Sequence, residues 1–202
     1  MQKPIVGVLA LQGDFREHVL AVRRAMNDLN YPVTLVKTKE DIEPITHLII
    51  PGGESTVMSK LSIVHQTEEN LRKKIIKKHS EGMRVFGVCA GVILISSKIE
   101  RQSENDPFEG LGLIDITTAR NAYGRQIDSF EAKIKIKDFD PEDYHAIFIR
   151  APKIVSTNSS EIEILSTHKD VIILAKNESV LVCAFHPELT EDSRIHKYFL
   201  SM

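Results

Sequence analysis

The sequence of 202 residues predicts an α/β protein: a doubly wound, mostly parallel β-sheet flanked by helices, with a small antiparallel or mixed β extension. Three observations predict it. Short continuous apolar runs, such as Ile5 to Leu11 and Val85 to Val88, have the character of strands covered on both faces. Segments with helical periodicity follow them in the first half of the chain. From Ile114 onward, strand candidates succeed one another with little helix between them.

In chain order, Ile5 to Leu11 is the first strand, and it ends at the loop signal Gln12-Gly13. Phe15, Val19, Val22, Met26 and Leu29 then recur at spacings of 4, 3, 4 and 3, which predicts an amphipathic helix with Asp14 as its N-cap. Val33 to Val36 and His47 to Ile50 are the next strands. The second runs into Pro51-Gly52-Gly53-Glu54-Ser55-Thr56, a turn expected to open another helix. Leu71 to Ser80 reads as a surface helix with Leu71, Ile75 and Ile76 inward and its lysines solvated. Val85 to Val88 is a strand with Cys89 at its end, and Val92 to Ser97 continue as helix. Strands are then expected at Ile114 to Thr118, Phe130 to Ile136, His145 to Ile149, Ile162 to Leu165, Val171 to Ala175 and Val180 to Phe185. A last helix, capped by Thr190 or Asp192, covers Arg194 to Leu200.

Composition bounds the function. An apolar content of 42% supports a sizeable core, and with neither linker nor repeat the expectation is one domain over residues 1 to 202. Lys and Arg total 26 against 28 Asp and Glu, so no basic field exists to hold nucleic acid. The apolar runs fall short of the roughly 18 residues of a membrane span, and Met1 to Pro4 is no signal n-region. The chain is therefore expected to be soluble and cytoplasmic. Its two cysteines, Cys89 and Cys183, cannot form a disulfide framework.

The sharpest local feature is Gly87-Val88-Cys89-Ala90-Gly91, which has the layout of a nucleophile elbow with Cys in place of Ser. Glycines on both sides let strand and helix approach, and the helix behind the sulfur favours a thiolate. The alternative is a buried structural cysteine in a strand–helix turn. A nucleophilic Cys needs a histidine base held by a third group. Among eight histidines, His18, His65, His79 and His196 read as helix or loop surface, and His47, His145 and His168 as strand flanks without a telling acidic partner. His186 differs, because in Phe185-His186-Pro187-Glu188 the proline holds His186 extended, and positions i and i+2 of an extended segment share a side. Glu188 could then fix the imidazole tautomer; the plainer alternative is a His-Pro turn with an exposed Glu. Cys183 with His186 lacks the second ligand pair that a structural zinc needs, and Cys183 reads as core packing, so no metal site is expected. Gly52-Gly53-Glu54-Ser55 is either a turn with a helix cap or a set of backbone N–H donors, and it lacks the ending of a phosphate-binding P-loop.

In this order, a Gly-Gly turn, a G-x-C-x-G elbow and a late H-P-E resemble the class I glutamine amidotransferases. Leu11-Gln12-Gly13 with Glu17-His18, Pro51 to Thr56, Arg120 to Gln126 with Ser129 to Glu131, Ile149 to Pro152 and Phe185 to Leu189 resemble, more closely, the family of glutaminase subunits of pyridoxal 5′-phosphate synthases. The resemblance implies a doubly wound, flavodoxin-like fold and hydrolysis of L-glutamine to L-glutamate and ammonia. It implies Cys89 as nucleophile, His186 as base and acid, and Glu188 as its orienting group. It also implies that Gly53, Glu54, Ser55, Arg120, Ile149 and Arg150 hold the glutamine, and that the Gly53 and Ala90 amides form the oxyanion hole. An Arg fork suits an α-carboxylate. The implied partner is a (β/α)₈-barrel synthase subunit that receives the ammonia, with the loop and helix start from Leu11 to His18 at the interface and low activity in the isolated chain. No cofactor is implied. Val57 and Val88 stand where the family often has Thr, and Tyr123 where it usually has Phe, and none of these removes a reacting group.

Overall fold

A computed structural model describes residues 3–53, 70–100, 110–119, 129–139 and 142–202. The described elements run β1 (Val6–Leu9), α1 (Phe15–Ala25), β2 (Val33–Val36), β3 (His47–Ile50), α2 (Leu71–Ser80), β4 (Arg84–Val88), α3 (Ala90–Ile95), β5 (Ser96–Glu100) and β6 (Ile114–Ala119). They continue with β7 (Phe130–Ile134), β8 (Tyr144–Phe148), β9 (Lys153–Thr157), β10 (Glu163–His168), β11 (Val171–Lys176), β12 (Val180–Cys183) and α4 (Arg194–Leu200).

One ten-stranded sheet carries the fold in the order β2-β1-β3-β4-β12-β11-β9-β6-β5, with β10 on β11, while β7 and β8 form a separate antiparallel pair. From β2 to β12 the strands are parallel, with Val6 opposite both Val33 and His47 and with Cys183 opposite Val88. Beyond β12 the pairings of β11 with β12, β9 and β10, and of β9 with β6, are antiparallel, and β5 lies parallel to β6. The expected β extension is thus continuous with the parallel sheet, and among the described strands only β7 and β8 stand apart.

Alternation along the central strands splits the core into two layers. Leu48, Ile50 and Val85 pack with Leu71 and Ile75 of α2 and with Val92, Leu94 and Ile95 of α3. Ile49, Phe86 and Val88 face the other way, onto Val22 of α1, Ile195 and Phe199 of α4 and Tyr144 and Phe148 of β8. Helices on both faces make β1, β3, β4 and β12 apolar on both sides, as the continuous runs predicted.

Some boundaries differ from expectation. The first helix stops at Ala25, because Asn27 takes a left-handed φ of 51° and turns the chain, leaving Leu29 75% exposed. The helix expected to reach Ser97 ends at Ile95, and Ser96–Glu100 enters the sheet as β5. β9 follows Pro152 as a short strand of mixed polarity, too weakly patterned to be read from the sequence. The helix expected after Pro51 to Thr56 lies outside the described residues. No described helix is long and apolar enough to cross a membrane.

Candidate active site

Adjacent parallel strands β4 and β12 end side by side, and each delivers one of the expected site residues, Cys89 and His186, to the same end of the sheet. The Cys89 N–H donates to the Cys183 carbonyl at 2.8 Å, and the His186 N–H to the Ile147 carbonyl at 2.8 Å. Cys89 sits at φ 49°, ψ −113°, a strained position for a residue with a side chain, between β4 and α3. The sharp turn requires its glycines. A methyl on Gly87 would meet Ile95 Cδ1 at 2.5 Å, and one on Gly91 would collide with the Ile50 carbonyl oxygen.

Gly52 marks where the two residues converge, since a Cβ there would lie 2.6 Å from His186 Cε1 and 3.3 Å from Cys89 Cβ. Glu188 Oε1 accepts from His186 Nδ1 at 2.6 Å, with His186 and Glu188 each only 3% exposed. The route differs from the extended segment expected. His186 itself is close to extended, at φ −105°, ψ 87°, but Pro187–Leu189 form a single 3₁₀ turn that folds the carboxylate back onto the imidazole. Burial opposes the charge on His186, whereas its interactions with Cys89 and Glu188 favour it, and the balance pushes its pKa up to about 10. Burial in turn pushes the Glu188 carboxyl up, against the pull of His186. The Cys89 thiol donates to the Ile149 carbonyl at 3.6 Å, while His186 Nε2 is buried without a hydrogen-bond partner among the described residues.

The other expected site residues divide into two groups. Ile149 meets the sulfur through its carbonyl, and Arg150, exposed and at a left-handed φ of 47°, follows it at the same rim. Ala90 opens α3, where the first N–H groups lack intrahelical acceptors, and Gly53 follows Gly52 at the end of β3. Glu54, Ser55, Val57, His65, Arg120 and Tyr123 lie outside the described residues. Asp14 heads α1 as expected, yet its side chain makes no cap hydrogen bond, and Oδ2 lies 3.7 Å from His186 Nδ1. Asp14, His186 and Glu188 bring ligand-type atoms within 4.8 Å of one another; the short His186–Glu188 bond makes this an acid–base assembly. Cys183 is fully buried, donates to the Phe185 carbonyl at 3.3 Å and has its thiol pKa raised by burial, which is core packing.

Two histidines read as surface residues are buried. His18 and His196 have no exposure, and they lie behind Glu188, with His18 Nε2 3.5 Å from Glu188 Oε2. The signal was present in α1, whose buried stripe is His18, Ala21, Val22 and Ala25, one position round from the stripe of larger apolar residues. His145, expected to lack an acidic partner, meets Glu131 across the β7–β8 pair at 2.7 Å on the exposed side. His47 is held neutral by burial and by Arg84, with its pKa lowered to about 4.

A cysteine on a strained strand–helix elbow, beside a His–Glu pair at the end of the neighbouring parallel strand, has the layout of one class, the α/β enzymes of acyl transfer that use a thiol. Within that class the chain belongs to the SNO glutamine amidotransferase family, whose model matches residues 8–202, and it is accordingly a glutaminase of the amidotransferase type. It is 46% identical over 197 residues to the pyridoxal 5′-phosphate synthase subunit PdxT of Thermosipho africanus, a match covering 98% of this chain and 97% of that one. The protein of the same name from Thermotoga petrophila is 45% identical, with 98% of each chain covered. A crystal structure of a glutamine amidotransferase superposes with a TM-score of 0.83 at 38% identity, over 98% of this chain and 97% of the other.

Proposed function

We propose that this chain hydrolyses L-glutamine to L-glutamate and ammonia through Cys89, His186 and Glu188, and passes the ammonia to a (β/α)₈-barrel subunit that builds pyridoxal 5′-phosphate. The observation that carries the reading is the convergence of Cys89 and His186 on Gly52, with Glu188 2.6 Å behind the imidazole. The Cys89 thiolate attacks the side-chain carbonyl carbon of glutamine, and the oxyanion that forms is received by the Gly53 and Ala90 N–H groups. Protonated His186 gives its proton to the departing nitrogen, which leaves as ammonia, and a thioester remains on Cys89. His186 then takes a proton from water as the hydroxide adds to the thioester carbon; the C–S bond breaks, the thiolate is restored beside the protonated His186, and the new carboxylic acid gives its proton to solvent as glutamate leaves. Glu188 holds the tautomer and stabilises the imidazolium throughout. Ile149 and Arg150 stand at the rim, where the amino-acid end of glutamine would be held together with Glu54, Ser55 and Arg120.

The partner is inferred from the relatives, which carry the name of a synthase subunit. His186 Nε2 has no hydrogen-bond partner among the described residues and the thiol turns to Ile149, which fits a site completed by docking at the loop and helix start from Leu11 to His18. The whole chain is read as one glutaminase domain, supported by the unbroken sheet, and both free thiols fit work in the cytoplasm. The test is ammonia release from glutamine by the chain alone and mixed with a pyridoxal 5′-phosphate synthase barrel subunit. Strong stimulation is expected. Equal activity in both would instead make the chain a stand-alone amidase.

A further inference from the structure

Glu188 has two oxygens, and the proposed chemistry accounts for one. Oε1 faces His186, while Oε2 is buried, and the polar atom set against it is His18 Nε2 at 3.5 Å. Behind it, His18 Nδ1 lies 3.1 Å from His196 Nε2, so a pair of imidazoles continues the line from Cys89 through His186 and Glu188 into the core. We propose that His18, itself held by His196, is a positioning residue of the glutaminase, whose Nε2–H faces Glu188 Oε2 and keeps that carboxylate ionised and aimed at His186. The inference rests on the reading of Cys89, His186 and Glu188 as the reacting set.

One tautomer assignment suits the line, in which His18 Nε2 and Glu188 Oε2 face each other without a formed hydrogen bond. Burial, then the charges of His196 and His186, hold the His18 pKa well below its ordinary value. Burial and the charge of Arg24 bring that of His196 down to about 3. Both rings are therefore neutral near pH 7, each with one donor and one acceptor. A lone pair on His18 Nε2 would repel the carboxylate, so the proton belongs on Nε2. His18 Nδ1 then accepts from His196 Nε2–H, and both donations point toward Glu188. Neutral donors stabilise an anion without adding a charge that would compete with the His186 imidazolium. At 3.5 Å the contact is long for a hydrogen bond, and catalytic bonds often stand long without substrate and tighten in the reacting complex. The other ionisable groups around the line are Asp14 from α1, Cys89 from the elbow, Cys183 from β12 and Tyr144 from β8, with Arg24 near His196. From β4 the neighbour is the apolar ring of Phe86.

The experiment is the pH dependence of two rates in the full chain: alkylation of Cys89 by iodoacetamide, with Cys89→Ala as the blank, and ammonia release with the barrel subunit present. In His18→Leu, Glu188 Oε2 loses the one polar side-chain atom set against it and is protonated at higher pH. The acid limb of both profiles is then expected to rise by on the order of one pH unit. kcat should fall about tenfold with KM for glutamine little changed, because the ground-state site is untouched. His18→Gln, whose amide can donate, should recover most of the loss. A folded His18→Leu protein with the wild-type profile would overturn the proposal. Nitrogen NMR of wild-type protein needs no variant: a protonated Nε2 and bare Nδ1 on His18 support the line, and the opposite tautomer overturns it. If His186→Asn alters neither rate, the reacting set itself is wrong, and the positioning role falls with it. If His186→Asn abolishes both while His18→Leu changes nothing, the positioning role alone fails.

Discussion

His186 and His196 are imidazoles in the same water-poor layer, on either side of His18 and Glu188, and they titrate in opposite directions. Burial disfavours charge on both, yet the His186 pKa is pushed up to about 10 while that of His196 falls to about 3. The difference lies in what each ring faces. His186 meets a thiol and, at 2.6 Å, a carboxylate, whereas His196 meets a neutral ring at 3.1 Å, the ring of Phe86 in a T-shaped contact and the repulsion of Arg24. Desolvation alone would make every buried histidine inert; an anion delivered to the ring reverses the outcome. The opposite shifts of the two rings thus follow from Cys89 and Glu188 beside His186, which have no counterpart beside His196.

The largest expected effect breaks the reactive side of this comparison outright. Cys89→Ala should lower ammonia release by on the order of 10⁴ or more, as removal of a nucleophile does, with binding of the barrel subunit retained. Parallel rate and co-sedimentation measurements would separate the two, and loss of docking in the folded variant would contradict that separation.

Phe86→Ala attacks the inert side. Phe86 has no exposure and lies 5.3 Å from Phe199 and 5.8 Å from His196 between ring centroids, so a cavity there should cost about 3–5 kcal/mol in denaturant unfolding. Water entering the cavity would also bring the His196 pKa back toward its ordinary value.

The pH dependence of stability sharpens the contrast, because the two rings contribute opposite slopes. The folded chain refuses a proton that the unfolded chain binds on His196, so this residue makes stability fall as pH drops from about 6.5 toward 3. The folded chain holds the His186 proton more tightly than the unfolded chain. That contribution is complete below about 6.5 and is lost as pH rises through about 10. Melting curves should therefore show a shallower acid slope in His196→Leu and a shallower alkaline slope in His186→Asn. Identical slopes in both variants would show that other groups set the pH response.

The smallest effect is expected at the rim. Arg24 donates to Glu191 at 3.1 Å and to the Thr190 carbonyl at 3.0 Å, tying α1 to the segment after Glu188, but Glu191 is largely exposed. Arg24→Ala should cost under about 1 kcal/mol. Since Arg24 also disfavours charge on His196, its removal should raise that ring's pKa slightly, which histidine NMR would read.

Several features were legible because they are local. The elbow needs small residues at Gly87 and Gly91 around Cys89, and the Phe185-His186-Pro187-Glu188 string places a base and an acid two positions apart. The 3₁₀ turn at Pro187–Leu189 was not legible, because extended and turned backbones both follow a His-Pro step, and the packing around Glu188 selects the turn. β5 was hidden because Ser96 to Glu100 follows an apolar helix without a break in the pattern.

From sequence alone came the α/β class, the parallel first half and the grouping of Cys89 with His186 and Glu188, since apolar runs, helical spacing and motif spacing are written in neighbouring residues. Tertiary structure decided that the β extension joins the main sheet, that β4 and β12 end together so that Cys89 and His186 meet at Gly52, and that His18 and His196 are interior residues. Those two histidines are 178 positions apart, and only the packing of α1 against α4 puts one behind the other and both behind Glu188. Long-range contact is a property of how faces fit, and a one-dimensional pattern does not carry it.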